Sequence, residues 1–143
     1  MGVREKQAWA MLVISVAGLG VYLTLVLAAR DGQPLDEVRY QPLMLGTIGA
    51  AIVAGIITAI VFAIQANLAG ETDDADERDK AIDRFGTNVS QTFLVIGGLA
   101  GLLMAMAERD WFWIANTIYL GFTLSGILEG VAKVTAYRRG LPW

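Results

Sequence analysis

Four apolar stretches separated by short clusters of charge constrain this chain more than any other feature. They run over about residues 8–29, 43–66, 90–107 and 111–133, and the charge clusters lie at the two ends and between the stretches. A hydrocarbon core of roughly 30 Å takes about 20 helical residues to cross. In lipid the backbone must satisfy its own N–H and C=O groups, and a helix does so within one segment. With 55% hydrophobic and only 17% charged residues, and a mean hydropathy of +0.53, the 143 residues hold too little polar surface to clothe a soluble domain. The expected fold is all-α and integral to a membrane. It is a single domain, a four-helix transmembrane bundle made of two hairpins.

The first stretch follows Arg4 and Lys6 as a signal peptide would, but it is longer than the roughly 7–15 residues of a signal core. No clear small-x-small cleavage site follows, so it reads as a retained span. Asp31-Gly32 and Pro34 supply turn chemistry after it, and Pro42 suits the first turn of the next helix. Glu108, Arg109 and Asp110 leave room only for a tight turn before a helix that starts at Trp111.

Orientation follows from the basic residues. Arg4, Lys6, Arg78, Lys80, Arg84, Lys133, Arg138 and Arg139 share one side, and Arg30, Arg39 and Arg109 the other. Eight against three puts both termini in the cytoplasm of a cell with a plasma (inner) membrane. Trp9 and Tyr137 are the expected aromatic anchors on that side, with Tyr40, Trp111 and Trp113 on the other.

Residues 71–88 form a cytoplasmic charged segment, and residues 134–143 a cytoplasmic basic tail. In the segment, Ala75, Arg78/Asp79, Ile82, Phe85 and Val89 recur at helical spacing. This predicts a short amphipathic helix before the third span, either bending at Gly86 or running on. Thr72 or Asp73 is the expected cap, and Asp74–Arg78 and Asp76–Lys80 are four-apart ion pairs of the favourable order.

The chain has no cysteine and no histidine, which excludes disulfides, thiolate or imidazole metal sites, histidine-ligated haem and the triads that need either residue. No catalytic, cofactor-binding or metal-ligating set is expected, and no nucleic-acid partner. The run Asp73, Asp74, Asp76, Glu77, Asp79, Asp83 raises Mg²⁺ or Ca²⁺, but its spacing is not that of an EF-hand. It reads as a solvated helix face, and a lipid-modifying, Mg²⁺-dependent enzyme is the weakest of the functional readings.

Small residues four apart mark close helix contact. Ala51, Gly55, Ala59 and Ala63 share a face, as do Gly97, Gly101 and Ala105, and the last span pairs Gly121 with Ser125 and Gly126 with Gly130. They suit packing within one bundle or a homo-oligomer seam. Glu129 is the one ionisable residue inside an apolar stretch, and such residues are functional suspects. It lies close to the inner boundary, with Lys133 one turn on as a partner. Gln65, Asn67, Asn88 and Gln91 fall at similar depth, so a polar cavity at the cytoplasmic mouth is an expectation. Nothing charged occupies mid-depth, where an ion carrier would bind its ion.

Asp76–Gly86, DERDKAIDRFG, precedes the third span, and Ala136–Gly140, AYRRG, follows the fourth. Together they resemble a group of small prokaryotic multi-span membrane proteins, a domain family of unassigned function, with a DER-x-x-x-I element before a terminal helix pair and a closing YRRG. The resemblance covers the second half of the chain. It implies a bacterial or archaeal plasma-membrane protein and marks Asp76, Glu77, Arg78 and Arg138–Gly140, all on the cytoplasmic side. The expected function is interaction: a non-enzymatic accessory or regulatory subunit that works through the charged segment and basic tail. Its partners would be membrane lipids and another membrane protein. The alternative is a small transporter or channel subunit active as a homo-oligomer. Asp76, Glu77, Arg78, Glu129, Lys133, Arg138 and Arg139 are the candidate interaction or polar-cavity residues.

Overall fold

The computed structural model of the chain describes residues 2–70 and 76–143. Four long helices account for almost all of them: α1 (Val3–Arg30), α2 (Gln41–Leu68), α3 (Glu77–Met106) and α4 (Trp111–Arg139). A short 3-10 turn at Leu35–Glu37 joins α1 to α2. At 1.5 Å per residue each helix is about 42–45 Å long, and all four are long and apolar enough to cross a membrane.

The helix ends follow local chemistry. Asp31 and Gly32 both take left-handed backbone, with φ of 42° and 79°, and end α1 at the expected turn. Pro42 sits in the first turn of α2. Asp110 accepts a hydrogen bond from the Phe112 N–H at 2.9 Å and fixes the start of α4. At α3 the cap is Asp76, which accepts from the Asp79 N–H at 2.7 Å. The expected caps Thr72 and Asp73, the stripe residue Ala75 and the pair Asp74–Arg78 involve positions outside the described residues.

Of the two courses open to the charged stretch, the structure takes the second: the helix does not bend at Gly86, and α3 runs on from Glu77 to Met106 in place of a separate short helix. Glycine costs a helix up to about 1 kcal/mol, but here the missing side chain leaves a slot that the Lys133 stem fills. A Cβ on Gly86 would come within 2.7 Å of Lys133 Cγ. The pair Asp76–Lys80 is also replaced. Asp76 is engaged as the cap, and Lys80 lies 3.0 Å from Glu77 instead.

Packing runs in the order α2, α1, α4, α3, with α3 against α4 the most extensive contact. Small residues make these seams close. A Cβ on Gly97 would lie 2.5 Å from Gly121 Cα, so α3 and α4 touch backbone to backbone there. Gly101 faces Ile118, Gly130 faces Leu12 and Gly126 faces Ser15. Gly55 and Ala51 meet Met11 and Gly18 across the α1–α2 seam. The small-residue faces are thus occupied in part within one chain, while Ala59 and Ala105 stay exposed. The substantial packing of α2 is with α1 alone, and a groove stays open between α2 and α4.

At the end where α1 finishes and α4 begins, Tyr22, Val26, Val38, Tyr40, Phe112 and Tyr119 form a buried cluster. The Tyr22 and Tyr119 rings lie 4.5 Å apart, and Tyr40 meets Phe112 edge-on at 5.3 Å. Tyr22 donates to the Asn116 side-chain carbonyl, and Tyr40 to the Trp111 carbonyl at 3.3 Å. Tyr40 is therefore a core residue and not the surface anchor expected of it, whereas Trp111 and Trp113 are exposed. A phenol whose O–H finds a partner is well suited to such a site.

Candidate functional site

The opposite end gathers the start of α1, the start of α3 and the end of α4 around a network of charges. Lys133 is its hub, with its ammonium 2.8 Å from Glu129 and 3.1 Å from Asp83. Arg4 lies 3.4 Å from Asp79, and Arg138 lies 3.5 Å from Glu5 while stacking over the Trp9 ring at 5.1 Å. Tyr137 donates to Asp79 at 2.9 Å, and Arg78 donates to the Tyr137 carbonyl at 3.3 Å. Burial holds the Tyr137 hydroxyl well above its ordinary pKa. The hydrogen bond to the Asp79 carboxylate and the charges of Asp79 and Asp83 add to this rise, and Arg4 opposes it weakly.

Local sequence explains these positions. Asp79, Ile82, Asp83 and Gly86 lie three and four apart, so they share the α3 face that meets α4. Ile82 is fully buried there, and the flanking carboxylates reach past it to Arg4, Tyr137 and Lys133. The acidic run is accordingly not one solvated face. Asp79 and Asp83 turn inward, Glu77 stays 92% exposed, and Asp76 caps the helix. Among the described residues no group of three or more carboxylates is arranged to hold a metal ion.

Inside the network lies an open cavity of about 520 Å³, lined by Arg4, Gln7, Ser15, Asp83, Thr87, Glu129, Lys133 and Tyr137 among others. Of the residues expected to matter, it brings together Glu129 and Lys133. Asp76, Glu77, Arg78, Arg138 and Arg139 stand outside it. Gln65, Asn67, Asn88 and Gln91 do not line it either and are exposed on their helices. The polar lining comes instead from Gln7, Ser15 and Thr87, together with Arg4 and Asp83 from distant parts of the chain.

Beside the cavity lies the groove between α2 and α4. That groove measures about 940 Å³ and is almost wholly apolar, with α1 as its floor. Met11, Ser15 and Gly126 line both spaces, so the charged pocket adjoins the apolar channel. Fixed charges at one end and apolar walls along the rest can hold a molecule that is itself divided in this way.

The DER-x-x-x-I and YRRG elements touch each other here, through Arg78 and Asp79 on one side and Tyr137 on the other. Comparison of the chain with family models, with curated proteins and with solved structures found no match.

Proposed function

We propose that this chain is an integral protein of a prokaryotic plasma membrane, crossing it four times with both termini in the cytoplasm, and that it acts by interaction as an accessory or regulatory subunit. The ionic end carries eight of the eleven Lys and Arg residues and the aromatic end three, which supports the orientation. In this reading α1–α2 and α3–α4 are the two hairpins.

The observation that carries the interaction reading is the way the ionic end divides its charges. Arg4 pairs with Asp79, Glu5 with Arg138, and Lys133 with Asp83 and Glu129, and these pairs knit three helices into a platform. Glu77, Lys80, Arg84 and Arg139 are left on its outer surface. A partner reads a charge pattern best when the pattern is held in place, since less side-chain and backbone freedom is lost on docking. Charge also sets partner choice more than it sets affinity.

The test is native mass spectrometry of the chain released gently from its own membranes, repeated with Glu77→Lys and Arg84→Glu together. The expected result is a complex with a different membrane protein that this charge reversal abolishes while the thermal midpoint is unchanged. A discrete homo-oligomer that the reversal leaves intact contradicts the reading. It would favour the second one, a small transporter or channel subunit, which the polar cavity beside Glu129 supports. Flux through reconstituted vesicles lost with Glu129→Gln would then follow.

A further inference from the structure

We propose that the charged cavity and the apolar groove together form one binding site for a membrane lipid with a zwitterionic, ammonium-bearing head group of the phosphoethanolamine class. The acyl chain lies along α1 between α2 and α4, and the head group sits among Glu129, Lys133, Asp83 and Arg4. The proposal rests on the membrane reading, and is independent of whether the chain has a protein partner.

Three observations carry it. The two spaces adjoin, with Met11, Ser15 and Gly126 in the lining of both, so that one amphiphile can reach from one to the other. The groove extends along α2 from Met44 to Ala59, about 22 Å of helix at 1.5 Å per residue. This is the direction in which an acyl chain runs from the head-group layer toward the bilayer middle. Finally, the charges at the mouth favour a head group carrying both signs. One Lys133 ammonium serves two carboxylates, Asp83 at 3.1 Å and Glu129 at 2.8 Å, so the pair keeps spare acceptor capacity for an ammonium. Arg4 lines the same cavity and provides a guanidinium, whose fork suits phosphate.

A helix from a second copy fits the groove less well. Laid along the apolar walls, it would leave the charges of the adjoining cavity uncontacted, since none of Asp83, Glu129 and Lys133 lines the groove. A lipid brings its head group to that very place. A purely anionic head group meets the two carboxylates and is disfavoured there.

The experiment uses the full chain in vesicles of equal parts phosphatidylethanolamine and phosphatidylglycerol. Retention after an alkaline wash is established first, so that failure to insert is distinguished from failure to hold a lipid. The protein is then released in mild detergent and its lipid adducts are read by native mass spectrometry. The expected result is a stoichiometric phosphatidylethanolamine adduct. Glu129→Gln should lower it about tenfold, the size of one charge-assisted hydrogen bond. Thr123→Phe, which fills the groove away from every charge, should lower it as well. Circular dichroism and thermal melting check that both variants remain folded, and because they alter opposite ends of the site, either one alone tests it. Equal retention of both lipids unaffected by either variant, preferential retention of phosphatidylglycerol, or a dimer with no lipid adduct would each overturn the proposal.

Discussion

At the scale of single residues the ionic end turns on Lys133 and Tyr137. Replacing Lys133 with Met leaves Asp83 and Glu129 facing each other without a counter-charge. The pairs are partly exposed, so the expected loss lies between surface and buried values, about 1–2 kcal/mol. A further Glu129→Gln should recover part of it, because the repulsion then disappears, and a double-mutant cycle in detergent measures the coupling. Tyr137 predicts a pH dependence. Its pKa in the folded chain is raised above the ordinary 10.0. Below about pH 10 both states are neutral and its contribution is intact. As pH climbs further the unfolded chain ionises first, so stability falls. Thermal midpoints taken from about pH 9 to about 11 should show a steeper decline in the native chain than in Tyr137→Phe. The sequence exposed the Glu129–Lys133 pair because four-residue spacing is local geometry. It hid the Asp83 and Arg4 contributions, since those contacts join residues dozens of positions apart and depend on which way α3 is rotated.

At the scale of elements, helix number, order and several ends were legible, since apolar length, Asp31-Gly32, Pro42 and the tight turn before Trp111 are all written locally. The continuity of α3 was one of two courses left open. Gly86 allows a bend or a straight run until Lys133 is seen to lie across it, and that contact belongs to another helix. The same holds for Tyr40, whose aromatic character suits a membrane edge or a core equally well. The α3–α4 seam gives a paired prediction. Gly97→Ala puts a methyl against the Gly121 backbone, which has no flexible end to move, and should cost about 1–3 kcal/mol. Gly98→Ala, one residue on, meets nothing within 4 Å and should be neutral or gain a few tenths from helix propensity. Equal effects in thermal denaturation would mean that the two helices do not approach as closely as described.

At the scale of the whole molecule, the chain is polarised. One end is an aromatic cluster under a short loop, and the other a platform of paired charges with an apolar groove beside it. Hydropathy revealed the four long helices, whereas the groove could not be read from it, because it arises from α2 packing on α1 alone. The small residues of α2 suggested a seam, and they do make one with α1, but they also line an open channel. The function proposed here depends on the polarity of the molecule matching the polarity of the membrane, with the ionic end inside the cell.

That match can be measured cleanly because the native chain has no cysteine. Single cysteines at Gln33 and Ala107, at the aromatic end, and at Glu77 and Pro142, at the ionic end, occupy exposed positions. Each is to be treated with a membrane-impermeant maleimide in intact cells and again after permeabilisation. The account predicts labelling at 33 and 107 in intact cells, and at 77 and 142 only once the membrane is opened. The reverse pattern, or labelling of all four sites in intact cells, would contradict it.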